Sequence, residues 1–242
     1  QAHAHGADSH DGPLYELVGI CAMGMSLIIS AGMIDLSVGS TVALISGFGV
    51  MVLNSTHSIP LAFLFCLGAG ILGGLINGLL VTKGRIAPFI VTLATMSAWR
   101  SVINQMGQGG PFTVDKDMYA PFRAIAAGRI LSIPHLMLFL IFITVLTGLL
   151  MSKTKFGTYV YAVGSNQQAA RLSGINVNRV KTLIFTYAGM LYGLAAFLLA
   201  SRLTSIQAAS AGMGYEMDAI AAVAIGGTSM DGGRGKIIGT FL

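Results

Sequence analysis

Asp35 is the residue whose placement says most about chemistry. It stands in Gly32-Met33-Ile34-Asp35-Leu36-Ser37-Val38-Gly39-Ser40, between two apolar runs. A carboxylate at membrane depth costs about 2.5 kcal/mol or more on insertion scales, so its presence calls for a reason. Two reasons are open and compatible. Asp35 can cap a helix that restarts at Val38, with Ser37 as the alternative cap. It can also line a polar path, because irregular backbone survives at depth only beside protein or water. Farther along, Glu216 and Asp218 precede a short apolar run and suit the positive end of a helix dipole. The stretch Gly232-Gly233-Arg234-Gly235-Lys236 invites comparison with a phosphate-binding loop. That pattern, however, would need Gly where Met230 stands and Ser or Thr where Ile237 stands. A glycine turn is the better reading.

Catalytic chemistry finds no support. His57 and His135 are isolated, and there is no H-E-x-x-H, nucleophile elbow or zinc spacing. No catalytic residue, no metal ligand and no cofactor is therefore assigned, and an intramembrane enzyme lacks the paired groups it would need. His3, His5 and His10 with Asp8 and Asp11 form a metal-capable set, but a flexible polar tail or cloning remnant accounts for residues 1–13 more simply. Cys21 and Cys66 lie in apolar runs as small hydrophobes, with no C-x-x-C pair.

The elements that position these groups follow from composition. Apolar residues make up 54% of the 242 and charged residues only 10%, against about a quarter in soluble domains. Runs long enough to cross a bilayer cover Leu14 to Ile34, Val38 to Leu53, Pro60 to Val81, Pro88 to Met106, Pro134 to Met151 and Leu183 to Ser201, with a shorter run from Ala219 to Gly226. Pro60, Pro88 and Pro134 stand at segment starts, where a missing N–H costs least. Barrel strands would alternate instead. The fold class is all-α: a polytopic transmembrane helical bundle over residues 14–242, with at least one discontinuous helix. Gly70, Gly74 and Gly78 share one helix face, and Gly189 and Gly193 repeat the spacing, which predicts close helix contact.

Loop charge gives an orientation. Residues 152–182 carry Lys153, Lys155, Arg171, Arg179 and Lys181 without an acid, and residues 82–87 carry Lys83 and Arg85. Two spans separate these links, so they share a side, which the positive-inside rule makes cytoplasmic. Links 54–59 and 107–133 then face outward. Within 152–182, a short amphipathic helix is expected, with Asn166 as N-cap and Gly174 as the residue after its C-cap. It can lie solvated at the surface or dock a cytoplasmic partner.

Three blocks together resemble one family: Gly32 to Ser40; Ala169-Ala170-Arg171-Leu172-Ser173-Gly174-Ile175-Asn176-Val177; and Gly214-Tyr215-Glu216-Met217-Asp218-Ala219-Ile220-Ala221-Ala222-Val223 running on to Gly226-Gly227-Thr228-Ser229 and Gly232-Gly233-Arg234-Gly235. The chain resembles the permease subunits of bacterial ABC importers for monosaccharides, the ribose-type branched permease family. The resemblance implies a multi-pass protein of the bacterial inner membrane. Its partners would be a cytoplasmic ABC ATPase subunit, a periplasmic sugar-binding protein, and a second permease in a homodimer or pseudo-dimer. It also implies that Asn166, Ala169, Ala170, Arg171 and Gly174 belong to the region that couples to the ATPase. For a neutral sugar, Asp35, Ser37, Ser40, Thr41 and Asn77 are the expected path-lining groups. Met33 stands where relatives usually carry Gly, and family members have further spans before Leu14 and after Leu242, so the chain reads as truncated at both ends. The rival reading is an ion-gradient-driven transporter or channel with Asp35 as the ion or proton site.

Overall fold

A computed structural model of the chain describes residues 15–108 and 110–241. The polar tail and its histidines lie outside the described residues. Eleven helices follow one another among those described: α1 (Tyr15–Ser30), α2 (Val38–Thr56), α3 (Ile59–Thr82), α4 (Pro88–Gly107), α5 (Lys116–Ala127), α6 (His135–Lys153), α7 (Lys155–Ser165), α8 (Gln167–Leu172), α9 (Val177–Leu203), α10 (Tyr215–Ile225) and α11 (Ile237–Phe241). Four of them, α2, α3, α6 and α9, are long and apolar enough to cross a membrane. Helix α1, at 16 residues, reaches about 24 Å. Helix α4 has the length, at 20 residues, but carries Arg100, Asn104 and Gln105.

Each expected span falls on a helix, with bounds that differ most at α9, which starts at Val177 rather than Leu183, and at α1. The first span stops at Ser30 because Gly32 takes a left-handed φ of 71° and the Met33 N–H turns back to the Ile28 carbonyl. The interruption expected at Asp35 is a turn over 31–37 between two helices. The link 107–133 is more ordered than an open loop. It holds α5, with Pro121 inside it, and strand β1 (Pro111–Thr113). It also holds the short ribbon of β2 (Arg129–Ile130) and β3 (Ile133–Pro134).

Helix α9 is the axis of the bundle. Seventeen of its residues are buried, and α3 packs along it most closely. The glycine spacing explains the approach. A methyl group on Gly70 would meet the Gly189 carbonyl oxygen, one on Gly74 the Phe185 carbonyl oxygen, and one on Gly193 the Cys66 carbonyl oxygen. Only residues without Cβ let the two backbones come this near. At the Gly78 end, Thr82 and Thr182 exchange a hydroxyl–hydroxyl bond of 3.1 Å. Edge-to-face contacts of Phe63 and Phe122 on Phe197 fill the opposite half.

The two ends of the bundle are distinct. At one, Lys83 and Arg179 line a common groove, so the two basic links share an end as their charge pattern predicts. At the other, Asn54 Nδ2 donates to the Thr113 carbonyl at 2.9 Å, and β1 pairs antiparallel with β4 (Ser205–Gln207) beyond the end of α9. After β4 the chain turns back into the bundle, and α10 starts at Gly214, whose φ of 84° only glycine adopts readily.

Candidate functional site

Three polar clusters stand out, and each joins segments distant in sequence. The first gathers around Asp35. Asp35 Oδ1 accepts from the Ser37 N–H at 2.8 Å and from Ser37 Oγ at 2.6 Å. Ser37 Oγ accepts in turn from Asn77 Nδ2 at 3.0 Å, on α3. Ser37 is the N-cap of α2 by position, yet its hydroxyl serves the Asp35 carboxylate rather than the helix. Asp35 therefore fixes the turn before the helix and does not cap it directly. Ser40 Oγ closes back on the Ser37 carbonyl at 2.9 Å, and Thr41 sits opposite Gly73. The structure thus brings Asp35, Ser37, Ser40 and Asn77 into one hydrogen-bonded network with Thr41 beside it, and none of the five is more than 4% exposed. The Tyr192 hydroxyl of α9 faces the same carboxylate, and among the described residues Asn77 Oδ1 has no hydrogen-bond partner.

The second cluster lies where α10 begins, directly behind that turn. Gly39 and Gly212 touch backbone to backbone, so that a methyl on either would meet the other's carbonyl oxygen, and Glu216 Oε2 lies over Gly39. The Arg100 side chain reaches across from α4. Its Nη1 donates to the Ala208 carbonyl at 3.2 Å and the Ala211 carbonyl at 2.8 Å, with Glu216 as its charged neighbour. These bonds satisfy carbonyls that the re-entering segment would otherwise leave unpaired at depth. Sequence reading missed Arg100; an arginine seven residues from the end of an otherwise apolar run was the available signal.

Around this cluster the surface changes character. The outward faces of α3 (Leu61, Leu64, Leu72, Ile76) and α6 (Phe142, Val145, Leu149) are wholly apolar, as lipid requires. The exposed surface of α4 carries Ser97, Ser101, Asn104 and Gln105 among apolar Leu93, Val102 and Met106, and that of α10 carries Asp218 beside Met217 and Ile225. Polar side chains at this depth face water or protein, not acyl chains.

The third cluster is helix α8 at the basic end. Asn166 Oδ1 accepts from the Gln168 and Ala169 N–H groups, both at 2.9 Å. At the other end Gly174 has φ 81°, its N–H bonds to the Arg171 carbonyl, and the Ile175 N–H bonds to the Ala170 carbonyl. This is a Schellman closure, so both expected caps are present. Ala170 anchors the helix inward, while Arg171 and Leu172 project outward, Leu172 being 86% exposed. Lys181 Nζ, donating to Gln167 Oε1 at 2.8 Å, ties α8 to α9.

Glycines bind the three sequence blocks into one assembly. The Gly233 N–H donates to the Ser30 carbonyl at 2.8 Å, and Gly32, Gly164 and Gly232 crowd each other's backbones. Tyr161 Oη donates to the Gly235 carbonyl at 3.1 Å, and burial pushes its phenol up, which keeps it a donor. The glycine stretch 232–235 is therefore a packed turn against α1 and α7.

A bundle of long apolar helices around a buried polar network has the architecture of a multi-pass membrane protein. The chain matches the family described as "Branched-chain amino acid transport system / permease component" over residues 15–242. It is 44% identical over 224 residues to the ribose import permease protein RbsC of Bacillus subtilis (strain 168), covering 93% of this chain and 69% of that protein. To RbsC of Escherichia coli (strain K12) it is 38% identical over 227 residues, with 92% and 70% covered. To the galactofuranose transporter permease protein YtfT of the same organism it is 35% identical over 221 residues, with 91% and 64% covered. No solved structure shows a significant match. The chain belongs to this permease family: it is a multi-pass membrane transport subunit.

Proposed function

We propose that the chain is the membrane-spanning subunit of an ATP-driven importer that carries a monosaccharide across the bacterial inner membrane. The observation that carries this reading is the identity to sugar permeases, ribose import permeases among them, along almost the whole chain. The family's description names branched-chain amino acids, but the relatives named here are sugar permeases. The exposed polar side chains of α4, Ser97, Ser101, Asn104 and Gln105, are hydroxyls and amides, which suit an uncharged polyol better than an amino-acid zwitterion.

ATP hydrolysis belongs to a separate cytoplasmic subunit, and delivery of sugar to a periplasmic binding protein. Helix α8 is the coupling element. Asn166 and Gly174 hold its two ends, Ala169 and Ala170 form its body, and Arg171 offers a charge to the ATPase. Its two caps and the Lys181–Gln167 bond offset the marginal stability of a helix of six residues and support that role. The translocation path runs along the polar residues of α4 and is closed by a second permease subunit, identical or homologous. Asp35, Ser37, Ser40, Thr41 and Asn77 form its inner wall, reached when the Gly39–Gly212 contact opens. Alternating access would thus exchange the buried network for sugar hydroxyls.

The test is uptake of labelled ribose and other monosaccharides in cells lacking their native permease, with the cognate ATPase and binding protein supplied. Absence of uptake for every sugar removes the proposal. Uptake that persists with an inactivated ATPase while the membrane potential is kept would favour the ion-gradient reading, with Asp35 as the ion site.

A further inference from the structure

Where α3 ends and α9 begins, the bundle opens a groove of about 460 Å³ lined by Leu79, Thr82, Lys83, Asn176, Arg179 and Leu183, among others. Its polar half lies at the basic end of the molecule. Lys83 and Arg179 are both exposed there, and neither residues 82–87 nor 152–182 contain an acid to neutralise them. Its apolar half continues without a step onto the lipid-facing side of α3, where Leu72, Ile76 and Leu80 are exposed, and onto exposed Leu183 of α9. The seam beneath is closed by the Gly78–Thr182 approach and the Thr82–Thr182 bond.

A ligand for this groove needs a negative head at the membrane–water boundary and a long apolar body lying along α3. We propose that the groove binds an anionic phospholipid of the inner leaflet, its phosphate held by Lys83 and Arg179 and one acyl chain laid over Leu80, Ile76 and Leu72. Arginine and lysine at the cytoplasmic boundary attract such headgroups. Asn176 and Asn178 add uncharged polar groups beside the phosphate. The lipid would bridge the glycine-packed α3–α9 pair at the end from which α8 is suspended.

The intact permease, purified in mild detergent, is incubated with mixtures of phosphatidylglycerol and phosphatidylcholine, and the retained lipid is counted by native mass spectrometry. Two variants are compared: Lys83→Gln with Arg179→Gln, which strips the groove, and Lys153→Gln with Lys155→Gln, which removes the same charge from the same end outside it. All four side chains are exposed, so both variants should fold, and thermal melting in phosphatidylcholine alone checks that. The expected result is a preference for phosphatidylglycerol that falls about tenfold in the groove variant and not in the other. Equal falls in both variants would show a diffuse surface charge and overturn the site. So would an unchanged preference in the groove variant, or displacement of the lipid by millimolar inorganic phosphate, which would mark a simple anion site.

Discussion

The α3–α9 seam makes the sharpest physical prediction, because two chemically identical substitutions on one helix should act in opposite directions. Gly68 and Gly74 both lie in α3. An added Cβ at Gly68 meets nothing within 4 Å, whereas at Gly74 it runs into the Phe185 carbonyl oxygen and the Gly189 backbone. Replacing Gly by Ala in a helix interior stabilises it by about 1 kcal/mol through backbone entropy alone. Gly68→Ala should show that gain. At Gly74 the obstacle is backbone on a neighbouring helix and cannot rotate away, so the helices must part. Overpacking costs about 1–3 kcal/mol, and a rigid obstacle places this site at the upper end. The net effect is destabilisation by about 2 kcal/mol, or about 4–8 °C in a chain of this size. Thermal melting of both variants in lipid nanodiscs measures it. Equal melting temperatures, or a rise for Gly74→Ala, would refute a backbone-to-backbone seam. Since α9 also carries Tyr192 and leads directly from α8, transport should fall with stability in Gly74→Ala.

The remaining clusters can be tested in the same way. Ser37→Ala removes the oxygen that links Asp35 and Asn77, leaving two buried polar groups short of a bond; a loss of about 2 kcal/mol is expected in denaturation, against almost none for exposed Ser152→Ala. Asn166→Ala deletes both N-capping bonds of α8 at a cost of about 1 kcal/mol, enough to fray so short a helix. Amide exchange over 167–172 should quicken, and ATP-driven uptake should fall several-fold with the fold intact; unchanged uptake would remove α8 from coupling. Arg100→Ala frees the Ala208 and Ala211 carbonyls and should cut uptake by about tenfold or more. Arg100→Lys, which keeps the charge but not the two-carbonyl geometry, should recover only part. Full recovery would show that charge alone matters.

Much of the architecture was legible in the order of residues because a bilayer imposes one-dimensional rules. A segment must be about 20 apolar residues long to cross it, and cations collect on one side. Those rules located α2, α3, α6 and α9 and placed Lys83 and Arg179 at a common end, whereas the runs expected to span at α1 and α4 are helices that are respectively shorter and more polar. Local hydrogen bonding is equally readable: Asn166 and Gly174 close α8 through contacts at most a few residues away. The glycine spacing on α3 and α9 showed that each helix would approach a partner closely.

Other features depend on meetings between distant segments, for which a linear pattern has no signal. Nothing in the order of residues says that Gly39 will touch Gly212, that Asn77 will complete the Asp35–Ser37 pair, or that Arg100 will reach carbonyls more than a hundred positions away. Asp35 itself illustrates the division. Its expense in lipid was evident from the sequence, but whether it faced an open path or a closed network depended on what α3 and α9 brought beside it. The polar face of α4 is the same case. Periodicity shows that Ser97, Ser101 and Asn104 share a side of the helix, and only packing decides that this side is the one left uncovered.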